Sequence, residues 1–126
     1  MPSLGQLEHK VLDLLWMKGS ATASQVRQAM APERLLKDST VRTVLRRLEA
    51  KGFVKRTSKG RRHVYRCARR RMKVAVDAVR EIAGKYCHGS LETLLAAMVE
   101  HDMIGRRELR RLKKLVSDGM RKAKKQ

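Results

Sequence analysis

Between residues 41 and 71 the chain carries thirteen basic side chains and one acidic one, a net of +12, while apolar residues recur through the same stretch at regular spacing. A segment that repels itself this strongly folds only if the apolar residues gather on one side and the cations stand on the other. The charge therefore decorates folded elements and asks for an anion on their outer face. The flanks differ: residues 1–40 hold five basic and four acidic side chains, and residues 72–126 hold thirteen and seven. Nearly two thirds of the net +19 thus lies in a quarter of the length. Solubility needs a net charge of only about 2 to 8 and no such concentration. The partner implied is a polyanion, most simply nucleic acid, with acidic lipid second.

The 126 residues suit one domain or a small domain with an appendage. A hydrophobic content of 42% excludes a disordered basic tail. No apolar run approaches the roughly 18 residues of a membrane span, and the first residues lack the apolar stretch of a signal peptide. Two cysteines, Cys67 and Cys87, are too few for a disulfide framework. A reducing, cytoplasmic location in association with the nucleoid is expected.

Leu4, Leu7, Val11, Leu14 and Leu15 recur with helical period, and Lys18-Gly19 ends that helix. Ser20–Ala21 suits a very short strand, and Thr22 caps a second helix through Met30 with Val26, Ala29 and Met30 inward. Asp38 or Ser39 is expected to cap a third helix whose apolar face is Val41, Val44, Leu45 and Leu48 and which Gly52 stops. The period then changes. Phe53, Val54 and Thr57 read as one strand and His63, Val64 and Tyr65 as another, around a Ser58-Lys59-Gly60 turn. So short a hairpin must pack on the helices, through Phe53, Val54 and Tyr65. Helix, strand, helix, helix, hairpin is the order of a winged helix-turn-helix. A fourth helix from Arg69 or Arg70, a fifth capped by Ser90 and a sixth over Gly105–Gly119 follow. The fold class expected is mainly α with a small β-hairpin, in three parts: a winged-helix domain at 1–68, a helical dimerisation domain at 69–120 and a basic tail at 121–126.

The third helix is the sharpest signal. Arg42 and Arg46 are four apart and project from one side, and Arg donors match guanine O6 and N7 in a major groove. Thr40, Arg42, Thr43 and Arg46 are the expected base readers. The competing reading is a solvated, salt-bridged helix, but only Glu49 is at hand as an acidic partner. Ser39 and Thr40 lie at the helix N-terminus, where free N–H groups favour phosphate. Arg47 and Lys51 on the helix join Lys55, Arg56, Lys59, Arg61, Arg62 and Arg66 of the hairpin as phosphate contacts, which position without specifying sequence. Arg69, Arg70 and Arg71 extend the field.

Other chemistries find little support. There is no phosphate-gripping glycine loop and no HExxH helix. Cys87-His88 are adjacent, poor geometry for a metal, and neither a metal nor a cofactor is expected. Asp77 and Glu81 read as a helix-surface pair rather than catalytic carboxylates, and no enzyme is implied. Trp16 is isolated and suits the core, and so few aromatics disfavour a base-stacking single-strand binder. RNA is a weaker option, because an A-form major groove does not admit this helix. The last three helices carry wide aliphatic stripes at Val76, Val79, Ile82 and Tyr86 and at Leu91, Leu94, Leu95 and Met98. Burial against a second copy satisfies them most economically.

Taken together the residues resemble the penicillinase repressor family of bacterial winged-helix repressors. The likeness starts at Leu4-Gly5-Gln6-Leu7-Glu8, with Val11-Leu12 and Leu15-Trp16, and runs through Ser39–Leu48 and Lys51-Gly52. Gly60-Arg61 and Tyr65 are similar to the family's wing, and Tyr86, Gly89-Ser90 and Leu94-Leu95 to its dimerisation region. The resemblance implies a homodimer on double-stranded DNA with an inverted repeat, often controlling a β-lactam-response operon. It also implies relief through a membrane-sensor protease pathway that cuts the fifth helix. The Asn-Phe bond of the resistance repressors corresponds here to Ala97-Met98. The tail has no cysteine, unlike that of the copper-responsive branch. Two classes stay open: a sequence-specific repressor and an architectural, largely non-specific DNA binder, since phosphate neutralisation serves both.

Overall fold

The computed structural model describes residues 4–125, with side chains to residue 123. Helix α1 (Gln6–Lys18) starts where Glu8 turns back to accept from the Gly5 N–H at 3.0 Å. It ends at Gly19, whose N–H still bonds the Leu15 carbonyl and whose φ of 86° then turns the chain out of the helix. Strand β1 (Ser20–Thr22) leads into α2 (Ala23–Met30) through a reciprocal cap: Thr22 Oγ1 accepts from the Gln25 N–H at 3.2 Å and Gln25 Oε1 from the Thr22 N–H at 2.9 Å.

Helix α3 (Asp38–Ala50) begins at Lys37 without a side-chain cap, so the expected cap at Asp38 or Ser39 is corrected. Asp38 lies inside the first turn, where the helix dipole favours an anion, and its carboxylate meets Arg27 of α2 at 2.8 Å. Strands β2 (Val54–Lys59) and β3 (Arg62–Cys67) form the hairpin, and β3 also pairs with β1, giving the antiparallel order β1-β3-β2. Lys59 pairs with Arg62, so Ser58 and Lys59 are strand and the turn is Gly60-Arg61, tighter than the expected Ser58–Gly60. Gly60, at φ 63°, makes that turn accessible.

One core serves these elements. Val11, Leu12 and Leu15 of α1, Val26 of α2 and Val41, Leu45 and Leu48 of α3 are fully buried, closed over by Phe53, Val54 and Tyr65. Each buried aliphatic side chain contributes about 1.5–3 kcal/mol. The expected apolar face of α3 is the buried one, and the three hairpin residues expected to dock it do so.

Helices α4 (Arg71–Tyr86), α5 (Leu91–Glu100) and α6 (Arg106–Lys125) follow. Ser90 caps α5 by accepting from the Thr93 N–H at 3.1 Å. The expected helix end at Gly119 is corrected: α6 runs on to Lys125 through most of the basic tail expected at 121–126, and Gln126 lies outside the described residues. A mid-helix glycine costs only about 1 kcal/mol, and Asp118 with Arg121 makes a 3.6 Å pair across it. The chain divides into two compact units, Met1–Val79 and Arg80–Gln126, so the division falls inside α4 rather than at residue 69. The first turns of α4 belong with the winged unit because Val74 packs on its core and Asp77 pairs with Arg69. In the second unit Ala83 is the one buried residue among the described side chains. No described helix is long and apolar enough to cross a membrane.

Candidate nucleic-acid interface

The buried face of α3 fixes what its other face presents. With Val41, Val44, Leu45 and Leu48 inward, Arg42, Thr43, Arg46 and Arg47 are all exposed. Arg42 and Arg46 line a polar cleft of about 640 Å³ between α3, the start of α2 and the hairpin. The hairpin supplies Arg56, Arg61, Arg62 and His63, and α2 supplies Ser24, Gln25 and Gln28. Glu49 is the sole acid on its wall, against five arginines, and it is shared with Arg56 at 3.7 Å. Arg42, Arg46, Arg61 and Arg62 have no ion-pair partner among the described residues. A concave wall of one sign focuses potential onto an anion.

The hairpin strengthens this polarity. Its register sets Lys55 opposite Arg66 and Lys59 opposite Arg62. Like charges directly opposite destabilise a strand pair in isolation. A phosphate lying across them removes that repulsion.

Other expected site residues fall elsewhere. Ser39 and Thr40 sit at the start of α3 outside the cleft, Thr40 half-buried. Thr43 is exposed, but its hydroxyl donates to the Ser39 carbonyl at 2.8 Å, which leaves its methyl and lone pairs outward. Arg47, Lys55, Lys59 and Arg66 are exposed without lining the cleft. Tyr65 is mainly a core residue, paired with Ala21 in the sheet, with one edge on the cleft. Lys51 is engaged: its Nζ donates to both Glu8 oxygens at 2.8 Å, so its charge serves the fold. Arg69 and Arg71 are likewise engaged within the fold, Arg69 over the Phe53 ring and toward Asp77, and Arg71, while still exposed, over Trp16 and onto Asp13 at 2.7 Å. Trp16 Nε1 donates to the Arg69 carbonyl at 3.0 Å, so this ring is partly buried and fastens the chain as it leaves the hairpin. Asp77, expected on a helix surface with Glu81, is buried between Lys73 at 3.1 Å and Arg69 at 3.9 Å. Ser24, Gln25 and Gln28 were not among the expected site residues. The one local signal for them is the Thr22 cap, which marks a helix N-terminus.

Burial opposes the charge on Glu8, but the Lys51 and Gly5 hydrogen bonds, with the field of Lys51 and Arg47, outweigh it and hold the carboxyl below its ordinary value. The stability gained is present above 4.5 and is lost as pH falls below it. Glu8→Gln is therefore expected to unfold at lower denaturant than wild type at pH 7, with the difference closing toward pH 3. Urea titrations at the two pH values check this, and a constant difference refutes it. Burial pushes the Cys67 thiol up to about 11, so it is an inert packed group. Among the described residues no three His, Cys, Asp or Glu converge as metal ligands.

Comparison with known proteins gives a consistent picture. The family model for the penicillinase repressor matches residues 4–118. The methicillin resistance regulatory protein MecI of Mammaliicoccus sciuri is 22% identical over 114 residues, covering 90% of this chain and 93% of that one. The penicillinase repressor of Staphylococcus aureus is 19% identical over 115 residues, covering 91% of each. The solution structure of the DNA-binding domain of the repressor BlaI superposes with a TM-score of 0.51 at 24% identity, over 56% of this chain and 85% of that one.

Proposed function

This chain belongs to the penicillinase repressor family, and we propose that it is a cytoplasmic, homodimeric, non-catalytic repressor that holds an inverted-repeat operator in double-stranded DNA. The observation that carries this is the pairing of two surfaces. One is the arginine-walled cleft beside an exposed α3 face, and the other is an apolar surface left uncovered on the later helices. In the first, Arg42 and Arg46 reach base edges from α3, with Thr40 and Thr43 beside them. Ser39, Arg47, Lys55, Arg56, Lys59, Arg61, Arg62 and Arg66 take phosphates. In the second, Val76, Val79, Ile82, Tyr86, Leu91 and Leu95 are exposed in the single chain, Tyr86 at 79% and Leu95 at 50%. A unit with so little buried core is completed by a second copy, which buries these side chains with Leu94 and Met98 at about 25 cal/mol per Å².

The names of the family relatives support a β-lactam-response operon as the target. Repression is relieved by loss of the C-terminal helices, through cutting at Ala97-Met98 in α5 by a protease answering a membrane sensor. Both residues are half-buried within an intact helix, so cutting requires α5 to open locally. The reading is tested by sedimentation equilibrium with selection of bound sites from random duplexes. A dimer of twice the 14.5 kDa chain mass and an enriched palindrome are expected. A micromolar monomer refutes the dimer, and selection without enrichment favours the architectural binder.

A further inference from the structure

Helix α6 divides its circumference between two chemistries. At 3.6 residues per turn, Leu109, Leu112, Val116, Met120 and Ala123 share one side with Gly119, while Arg107, Arg110, Arg111, Lys114, Arg121 and Lys122 gather on the opposite side. Across residues 106–123 there are eight Lys or Arg and two Asp or Glu, and all eight cations are exposed. Within α6 the sole ion pair among the described residues is Arg121 with Asp118. Arg107 with Arg111 and Arg110 with Lys114 are like-charge pairs four apart, which destabilise a helix. Arg106 and Arg107 stand in the first turn, against the positive end of the helix dipole. A merely solvated face balances such repulsion with interspersed acids, whereas here Glu108 and Asp118 stand against eight cations and Asp118 alone makes an ion pair within the helix among the described residues.

We propose that the basic face of α6 is a second DNA-backbone site, separate from the α3 and hairpin surface, that grips phosphates without reading bases. This rests on the DNA-binding reading above. If the apolar side of α6 is buried against a second copy, the opposite side faces outward, so one helix serves both contacts. From Arg107 to Lys122 the helix rises about 22 Å, the span of roughly six phosphates along one strand. A lipid surface fits less well: Leu109 and Leu112 suit an acyl boundary, but the apolar side has no aromatic anchor and carries Gly119 and Ala123 in its later turns. The result is a dimer that holds DNA flanking its operator, or a second duplex.

The experiment compares full-length wild type with the quadruple variant Arg107→Gln, Arg110→Gln, Arg111→Gln and Lys114→Gln on a long random-sequence duplex at several salt concentrations. Each lost phosphate contact removes about 0.9 from the slope of log affinity against log salt, so the slope is expected to shallow by at least about three. Arg110→Gln alone shallows it by about one, which keeps the test open if the quadruple variant misfolds. Exchanging the same four residues Arg for Lys and Lys for Arg preserves the slope. An unchanged slope in a folded, dimeric quadruple variant overturns the proposal while leaving the repressor reading intact. Lost binding to phosphatidylglycerol vesicles with an unchanged DNA slope assigns the face to lipid and also overturns it. Wild type that fails to bind DNA overturns the repressor reading itself.

Discussion

Arg42→Ala with Arg46→Ala is expected to lower affinity for a selected operator by about 1.5 to 4 orders of magnitude per half-site while changing random-sequence affinity far less. The two side chains are exposed, four apart on α3, and without ion-pair partners among the described residues. Removing them therefore leaves the core of Val41, Leu45 and Leu48 intact, and exposed changes of this kind alter stability by only about 0.5 kcal/mol. Each bidentate contact with a guanine discriminates by about 1–3 kcal/mol, and 1.4 kcal/mol is tenfold. A different outcome is expected for the hairpin arginines. Arg61→Ala with Arg62→Ala is expected to weaken cognate and random duplexes by the same factor, because phosphates carry no sequence. Titrating all three proteins against both duplexes at one salt concentration separates the roles. If the α3 variant loses the same factor on both duplexes, its arginines hold phosphates and the architectural alternative prevails.

The fold was legible wherever the structure-forming information is local. The α3 face follows from four apolar residues at helical spacing, α1 from a glycine stop, and α2 and α5 from Thr22 and Ser90, whose hydroxyls do cap. The side chains whose expected roles needed correction share a different cause: a long-range partner captured them. Asp38 looked like a cap, but Arg27 holds it. Lys51 looked like one more cation in a basic run, but Glu8 lies 43 residues away in sequence and takes its charge. Arg69 and Asp77 are drawn in by Phe53 and each other, and Arg71, though still exposed, is committed to Trp16 and Asp13. Ion pairing leaves no periodicity, so nothing local marks which cations are committed. The basic field is therefore narrower than its count of charges, and it concentrates on α3 and the hairpin, where pairing is sparse. The end of α6 was misplaced for the opposite reason: Gly119 is a stop signal by type, yet the helix passes through it.

A fragment ending at Ala97 is expected to bind a palindromic operator about 100-fold or more weakly than the full chain. In the proposed dimer each winged unit reaches one half-site, and linking two raises avidity by about 10²–10⁴ over a single arm. The cut removes Met98 at the end of α5 and all of α6, and with α6 the exposed Leu112, Leu115, Val116 and Met120, whose burial against a second copy completes the proposed dimer. The winged unit should survive, since its core cluster runs from Val11 to Tyr65 and its α4 anchors, Val74 and Asp77, are retained. Under the proposed backbone role of α6, losing its cations also weakens DNA binding, so the fragment alone does not isolate dimerisation. Leu95→Glu in the full chain does: it keeps every α6 cation and sets a charge in a side chain position that is 50% exposed in the monomer but buried in the proposed dimer. Both proteins should sediment as monomers, keep cooperative unfolding of the winged unit, and lose the palindrome's advantage over a half-site duplex. A dimeric fragment, or a monomeric one that holds the palindrome as tightly as the full chain, refutes release through the C-terminal helices.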